Sequence, residues 1–152
     1  MGSTKVKEEC LNILLIEDDQ DHADLIMRSL QGHEVANRIH HVSDGKTAMD
    51  YLFRQNEYCD PVKSPRPDVI LLDLRLPKVD GLEVLKEIKA SDELCKIPVV
   101  VLTTSEAERD VARAYECHAN SYLVKPVDFE EFTHLMNNLC YYWLCWNRRV
   151  LL

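Results

Sequence analysis

Short runs of consecutive apolar residues alternate along this chain with longer stretches in which apolar residues recur every three or four positions. Leu11–Ile16 is the first run; it ends in acids and predicts a buried strand. From Asp21 onward, Leu25, Ile26, Met27 and Leu30 fall at helical spacing, with Gly32 as a stop. Residues 38–42 predict a second strand, and 45–53 a second helix carrying Ala48, Met49, Leu52 and Phe53. Residues 56–67 hold Pro61, Pro65 and Pro67 without apolar periodicity and predict a loop. Val69-Ile70-Leu71-Leu72 then runs into Asp73, and Leu82, Val84, Leu85 and Ile88 make a helix behind Pro77 and Gly81. Val99-Val100-Val101-Leu102 runs into Thr103. A helix over 107–117, a short strand over 121–124 and a helix from 129 to about 146 complete the order.

Five strands alternating with five helices, the middle strands apolar throughout, predict a parallel sheet covered on both faces. The fold class is therefore α/β, a doubly wound five-stranded (βα)5 sheet with an extended last helix. The domain spans 11–140, after a tail at 1–10 and before an extension at 141–152. Right-handed crossovers bring the carboxyl ends of all five strands to one edge, where ligands bind in such sheets. That edge collects Glu17, Asp18 and Asp19 after the first strand and Asp73 after the third. Thr103 and Thr104 follow the fourth strand, and Lys125 the fifth.

Each of these residues taken singly has a plain structural reading. Asp18 or Asp19 alone is a helix cap, and Lys125 alone a surface lysine. Their arrival in order at the strand ends of one sheet points instead to a site. Two unit charges about 4 Å apart repel by roughly 4 kcal/mol at an effective dielectric near 20. Glu17, Asp18 and Asp73 therefore call for cations. Lys125 supplies one, and a hard divalent ion such as Mg²⁺, which combines one or two carboxylates with phosphate oxygens, supplies the rest.

Composition narrows the classes. The formal charge of −8 opposes a nucleic-acid partner, which needs a basic face. No apolar run reaches membrane-spanning length and the first residues are polar, so neither a membrane span nor a secretory signal is expected. The six cysteines are scattered without a C-x-x-C pair, which suits reduced thiols and a cytoplasmic location. No G-x-G-x-x-G follows the first strand, which removes dinucleotide binding.

Four segments carry a resemblance: Ile13 through Glu17-Asp18-Asp19, Val69 through Asp73 to Gly81, Val99 through Thr103-Thr104-Ser105, and Tyr122-Leu123-Val124-Lys125-Pro126. Together they resemble the receiver domain of two-component response regulators, over about residues 11–140. The resemblance implies a flavodoxin-like fold and a signalling role rather than an enzyme's, with a sensor histidine kinase as partner and Mg²⁺ as cofactor. It implies Asp73 as phosphoacceptor. Asp18, Asp73 and the backbone carbonyl of Arg75 would ligate the metal, with Glu17 acting through a metal-bound water. Lys125 and Thr103 would contact the phosphoryl oxygens, and Tyr122 would be the aromatic that changes rotamer with Thr103. The Lys125–Pro126 bond is expected to be cis.

Asp19 is expected to cap the first helix, Gly81 to meet a backbone need in the loop after Asp73, and Pro77 to direct that loop. Arg75 and Ser105 differ from common family residues at positions that flank the path of hydrolytic water. Arg75 also stands where a haloacid dehalogenase-type phosphatase wants a second Asp. A relay that passes the phosphoryl group onward to another histidine remains an alternative.

Phe129, Phe132, Leu135, Met136, Leu139, Cys140, Trp143 and Leu144 form one stripe of the last helix, while Tyr141, Tyr142 and Trp146 fall off it. A helix apolar on more than one side needs a second covering surface. The expectation is a symmetric homodimer with Tyr142, Trp143 and Trp146 at its interface. The loop at 58–67 and Tyr142-Trp143-Leu144 resemble small response regulators that pair with phytochrome-type kinases, which suggests a phytochrome-like kinase.

Overall fold

The computed structural model describes residues 11–32, 37–104 and 107–146; the tail expected at 1–10, Ser105 and residues 147–152 lie outside them. Each predicted element is present. The strands are β1 (Leu11–Ile16), β2 (Asn37–Val42), β3 (Val69–Leu72), β4 (Val99–Thr103) and β5 (Ser121–Val124). The helices are α1 (Gln20–Gln31), α2 (Gly45–Leu52), α3 (Gly81–Ala90), α4 (Glu108–Glu116) and α5 (Phe129–Cys140). Differences from the predicted bounds are a residue or two at the ends, where helices fray. The proline-bearing loop also contains a single 3₁₀ turn at Asn56–Tyr58.

The strands pair in parallel in the order β2-β1-β3-β4-β5. Strand alternation sorts the core into two layers. Leu14, Ile16, Ile70, Leu72, Val99 and Val101 face α2, α3 and α4. Ile13, Leu15, Val69, Leu71, Val100 and Leu102 face α1 and α5. Because β1, β3 and β4 are buried on both sides, their apolar runs have no polar alternation to show.

Aspartates start four of the helices by accepting hydrogen bonds from backbone N–H groups of the first turn: Asp19, Asp44, Asp80 and Asp128. The Asp19 cap is as expected, accepting from Asp21 and His22 at 3.0 and 3.2 Å.

The last helix differs from expectation. It is α-helical only to Cys140 and continues as a wider π-helical turn over Tyr141–Trp146. Phe132, Met136, Leu139, Cys140 and Trp143 hold the inward stripe, but Phe129, expected on it, is 69% exposed. Phe129 is the first residue of α5 and lies beside Asp21, Asp24, Leu25 and Arg28 of α1, largely open to solvent. Trp143, expected at a dimer interface, belongs to the protomer's own core at 9% exposure, closing over Ile13, Leu30, Val69 and Leu71. Tyr141 and Tyr142 are 56% and 53% exposed, as their off-stripe positions predict. The side chains of Leu144 and Trp146 lie outside the described residues.

Candidate functional site

The carboxyl edge of the sheet brings the predicted residues together. Glu17 directly follows β1, Asp73 follows β3 and Lys125 follows β5. All three are buried, at 1%, 6% and 3% exposure. Burial of charge is costly unless partners are supplied. Here Lys125 Nζ donates to Glu17 Oε2 at 2.6 Å and to Asp73 Oδ2 at 3.0 Å. The sequence separations of 108 and 52 residues show that the sheet alone creates this contact.

Backbone groups hold the same side chains. The Arg75 N–H donates to Asp73 Oδ1 at 3.0 Å, and the Asp19 N–H to Glu17 Oε1 at 3.2 Å. The loop after Asp73 folds tightly onto α3. A Cβ on Gly81 would stand 2.5 Å from both the Asp73 carbonyl oxygen and Leu74 Cα. Gly81 is therefore required for close approach and not for a left-handed φ, since no glycine of the described residues has positive φ. Pro77 directs the loop through its carbonyl, which accepts from Gly45 and Val79 N–H groups. The Lys125–Pro126 bond, expected cis, is not; no cis bond occurs among the described residues. Trans is the lower-energy form of most X–Pro bonds.

One ammonium facing two buried carboxylates leaves the pocket short of positive charge. Glu17 registers the shortfall. Burial first, and then the Asp73 carboxylate, push its carboxyl up to about 8 from an ordinary 4.5, against the pull of Lys125. Exposed Asp18 adds a third acid, and one oxygen each from Glu17, Asp18 and Asp73 lies within 4.8 Å of the others. Hard oxygen donors with unbalanced negative charge fit a divalent cation. Asp19 stays out of this set, held below the usual carboxylate range by the His22 backbone N–H.

Thr103 is fully buried at the end of β4, and its carbonyl accepts from Lys125 N–H at 2.8 Å. By strand alternation Thr103 and Tyr122 project to the same face of the sheet, and Tyr122 packs on the α2–α4 layer. Arg75, expected to flank the path of hydrolytic water, is exposed, and its guanidinium lies 3.5 Å from Asp110 of α4. Two histidines escaped the sequence reading. His22 touches Lys125 Nζ through Nδ1 at 3.0 Å, and His41 Nε2 lies 2.8 Å from the Glu17 carbonyl. Neither sits at a strand end in the pattern, so nothing in the sequence marked them.

Cys59, Cys95, Cys117 and Cys140 are free thiols. No helix among the described residues is long and apolar enough to cross a membrane.

Comparison with known proteins agrees with this geometry. Residues 13–137 match the response regulator receiver domain family. The chain is 48% identical over 147 residues to the probable methanogenesis regulatory protein FilR2 of Methanothrix harundinacea, covering 97% of this chain and 92% of that protein. It is 43% identical over 132 residues to response regulator Rcp1 of Synechocystis, covering 87% and 88% of the two chains. The Mn²⁺-bound structure of Rcp1 superimposes with a TM-score of 0.88 over 93% of this chain and 99% of that one, at 40% identity. The phosphorylated cyanobacterial phytochrome response regulator RcpA gives 0.89 at 38% identity, with the same coverage. A match running through all five strands, with relatives of near-equal length, settles the family: this chain belongs to the response regulator receiver domains of two-component signalling.

Proposed function

We propose that Asp73 is the phosphoacceptor of this regulator and that Lys125 is the cation which meets the arriving phosphoryl group. The observation that carries the reading is the buried Lys125 ammonium bridging Glu17 and Asp73. Phosphoryl transfer passes through a loose, in-line transition state, so the pocket's work is positioning and charge neutralisation. Lys125 and the Arg75 N–H orient the Asp73 carboxylate and keep both its oxygens engaged before transfer. Glu17, Asp18, Asp73 and the Arg75 carbonyl would hold Mg²⁺, which when bound supplies the positive charge that one lysine leaves missing. The Mn²⁺-bound Rcp1 structure supports a divalent ion in such a pocket.

An acyl phosphate adds about two negative charges and new acceptor oxygens. The Thr103 hydroxyl turns toward those oxygens, and Tyr122 on the same face moves into the space released. The readout is a protein–protein contact, and the protein acts in the cytoplasm. A sensor histidine kinase is the donor. The likeness to RcpA supports a phytochrome-like sensor, whereas the higher identity to FilR2 supports a second reading, a kinase serving methanogenesis regulation. Phosphotransfer profiling against both kinds of kinase separates them.

The regulator forms a two-fold dimer through the end of α5. Tyr141 and Tyr142 are its exposed contacts, with Tyr142 braced edge-on against Trp143 at 5.3 Å and 85°. A stable interface of this kind buries roughly 1,200–2,000 Å². The chemical reading is tested by labelling with acetyl phosphate and Mg²⁺. Asp73→Asn is expected to abolish the label, and equal labelling of variant and parent would overturn the assignment.

A further inference from the structure

Lys125 has three N–H bonds and three acceptors. Two are the Glu17 and Asp73 carboxylates; the third is His22 Nδ1, at 3.0 Å. An ammonium can only donate, so Nδ1 accepts and the ring proton sits on Nε2. The carboxylate oxygens nearest the ring are farther off, at 3.8 Å for Glu17 and 3.7 Å for Asp19, beyond hydrogen-bond length. The imidazole is held from two sides. Its backbone N–H is bound to the Asp19 cap at 3.2 Å, and its ring lies 5.5 Å from Phe132 of α5. A surface histidine with no role would not need its nitrogen aimed at an ammonium that is 1% exposed.

During transfer the Asp73 carboxylate oxygen forms a bond to phosphorus while phosphorus separates from the donor's leaving atom, which departs with the electron pair. With acetyl phosphate, acetate leaves and the product is an aspartyl phosphate; total charge is unchanged. Asp73 loses its own charge to the new ester bond, acetate carries one negative charge away, and the phosphoryl group brings its two charges into the pocket, so the Lys125 N–H that served Asp73 must turn to a phosphoryl oxygen. The other two N–H bonds remain on Glu17 and His22. Two fixed bonds on a tetrahedral nitrogen set the direction of the third. With Glu17 alone, the long side chain can swing the nitrogen about a single contact, and the third N–H drifts with it.

We propose that His22 is a positioning residue for phosphoryl transfer. As the neutral acceptor on Lys125, it aims the remaining N–H at the incoming phosphoryl oxygen. The proposal rests on the reading of Asp73 as phosphoacceptor.

The test measures saturation curves with acetyl phosphate and Mg²⁺, a donor too small to report on kinase docking. His22→Ala is expected to lower the maximal rate about tenfold, the scale of one lost charge-assisted hydrogen bond. Half-saturation and Mg²⁺ affinity should stay within about twofold, because the aim matters most in the transition state. His22→Asn sets an oxygen near the place of Nδ1 and should restore the rate. His22→Gln sets its polar atoms one bond farther and should remain slow, which separates aim from polarity and bulk. In a Lys125→Met background, His22→Ala should change nothing further.

Parent-like rates in His22→Ala, equal rates in the Asn and Gln variants, or an additive loss in the Lys125→Met background would each overturn the proposal. So would a loss seen with a kinase but not with acetyl phosphate, which would make His22 a docking residue. Labelling that persists in Asp73→Asn would instead remove the parent reading, whatever His22 does.

Discussion

The strand-end pocket and the end of α5 were both legible as unusual, one for its charges and one for its aromatics, and the structure treats them in opposite ways. In the pocket, residues that are ordinarily exposed are buried: Glu17, Asp73 and Lys125 each sit below a tenth exposure because each finds an opposite charge. At the end of α5, residues that are ordinarily buried divide, with Trp143 inside and Tyr141 and Tyr142 outside. Directional partners decide the first case, and rotation of a helix about its axis decides the second. Charge pairs tolerate burial only in a near-fixed geometry, so the pocket had one arrangement open to it. Aromatic area can be covered by any apolar surface, so the helix end had several.

Trp143→Ala presses hardest on this contrast. If the indole belongs to the protomer's core, its loss costs roughly 3–5 kcal/mol by denaturant unfolding. A cost below about 1 kcal/mol, with dissociation of a dimer instead, would return Trp143 to the interface.

The pocket side is sharpened by Glu17→Gln without metal. Below pH 4.5 the Glu17 carboxyl is protonated in both folded and unfolded chains and contributes nothing. Between 4.5 and about 8 the unfolded chain releases a proton that the folded chain keeps, so stability falls as pH rises; above about 8 the whole penalty is in place. The stability advantage of Glu17→Gln over the parent should therefore widen from pH 4.5 to about 8, reaching a few kcal/mol. A divalent ion should erase it in the parent, and its affinity should rise with pH over the same range. An advantage that does not vary with pH would mean that the Glu17 charge is already balanced.

Gly81→Ala is expected to cost about 1–3 kcal/mol, as overpacking does, because its Cβ meets backbone at 2.5 Å. Phosphorylation should slow more than stability falls, since the displaced atoms belong to Asp73 and Leu74. Equal losses would make the close approach a packing matter only. The smallest change in stability is expected for Tyr142→Ser, within about 0.5 kcal/mol. Sedimentation should nevertheless report a folded monomer. A parent protein already monomeric at tens of micromolar would end the dimer reading.

Most of the pocket could be read from the chain because topology does the assembly. Once Leu11–Ile16, Val69–Leu72, Val99–Thr103 and Ser121–Val124 are strands of one parallel sheet, whatever follows them meets at one edge. His22 and His41 were missed for the same reason: one lies inside α1 and the other inside β2, where the rule about strand ends is silent. The backbone need read at Gly81 is real, but its kind was not legible in the sequence. A glycine marks either an unusual φ or a missing Cβ, and only the neighbouring atoms distinguish the two.

By itself the sequence determined the α/β class, the order of ten elements, a sheet covered on both faces, and the ring of acids and lysine at the rim. These follow from periodicity and chain direction, which are local properties. Tertiary structure alone decided which nitrogen completes Lys125, where the Arg75 guanidinium points, and that Trp143 packs in the protomer's own core. The His22 contact spans 103 residues, and the last helix turns π-helical after Cys140, which the spacing of its stripe does not reveal. Contacts of that kind are set by distances of a few tenths of an ångström and rotations of a fraction of a turn, and residue spacing carries no record of either.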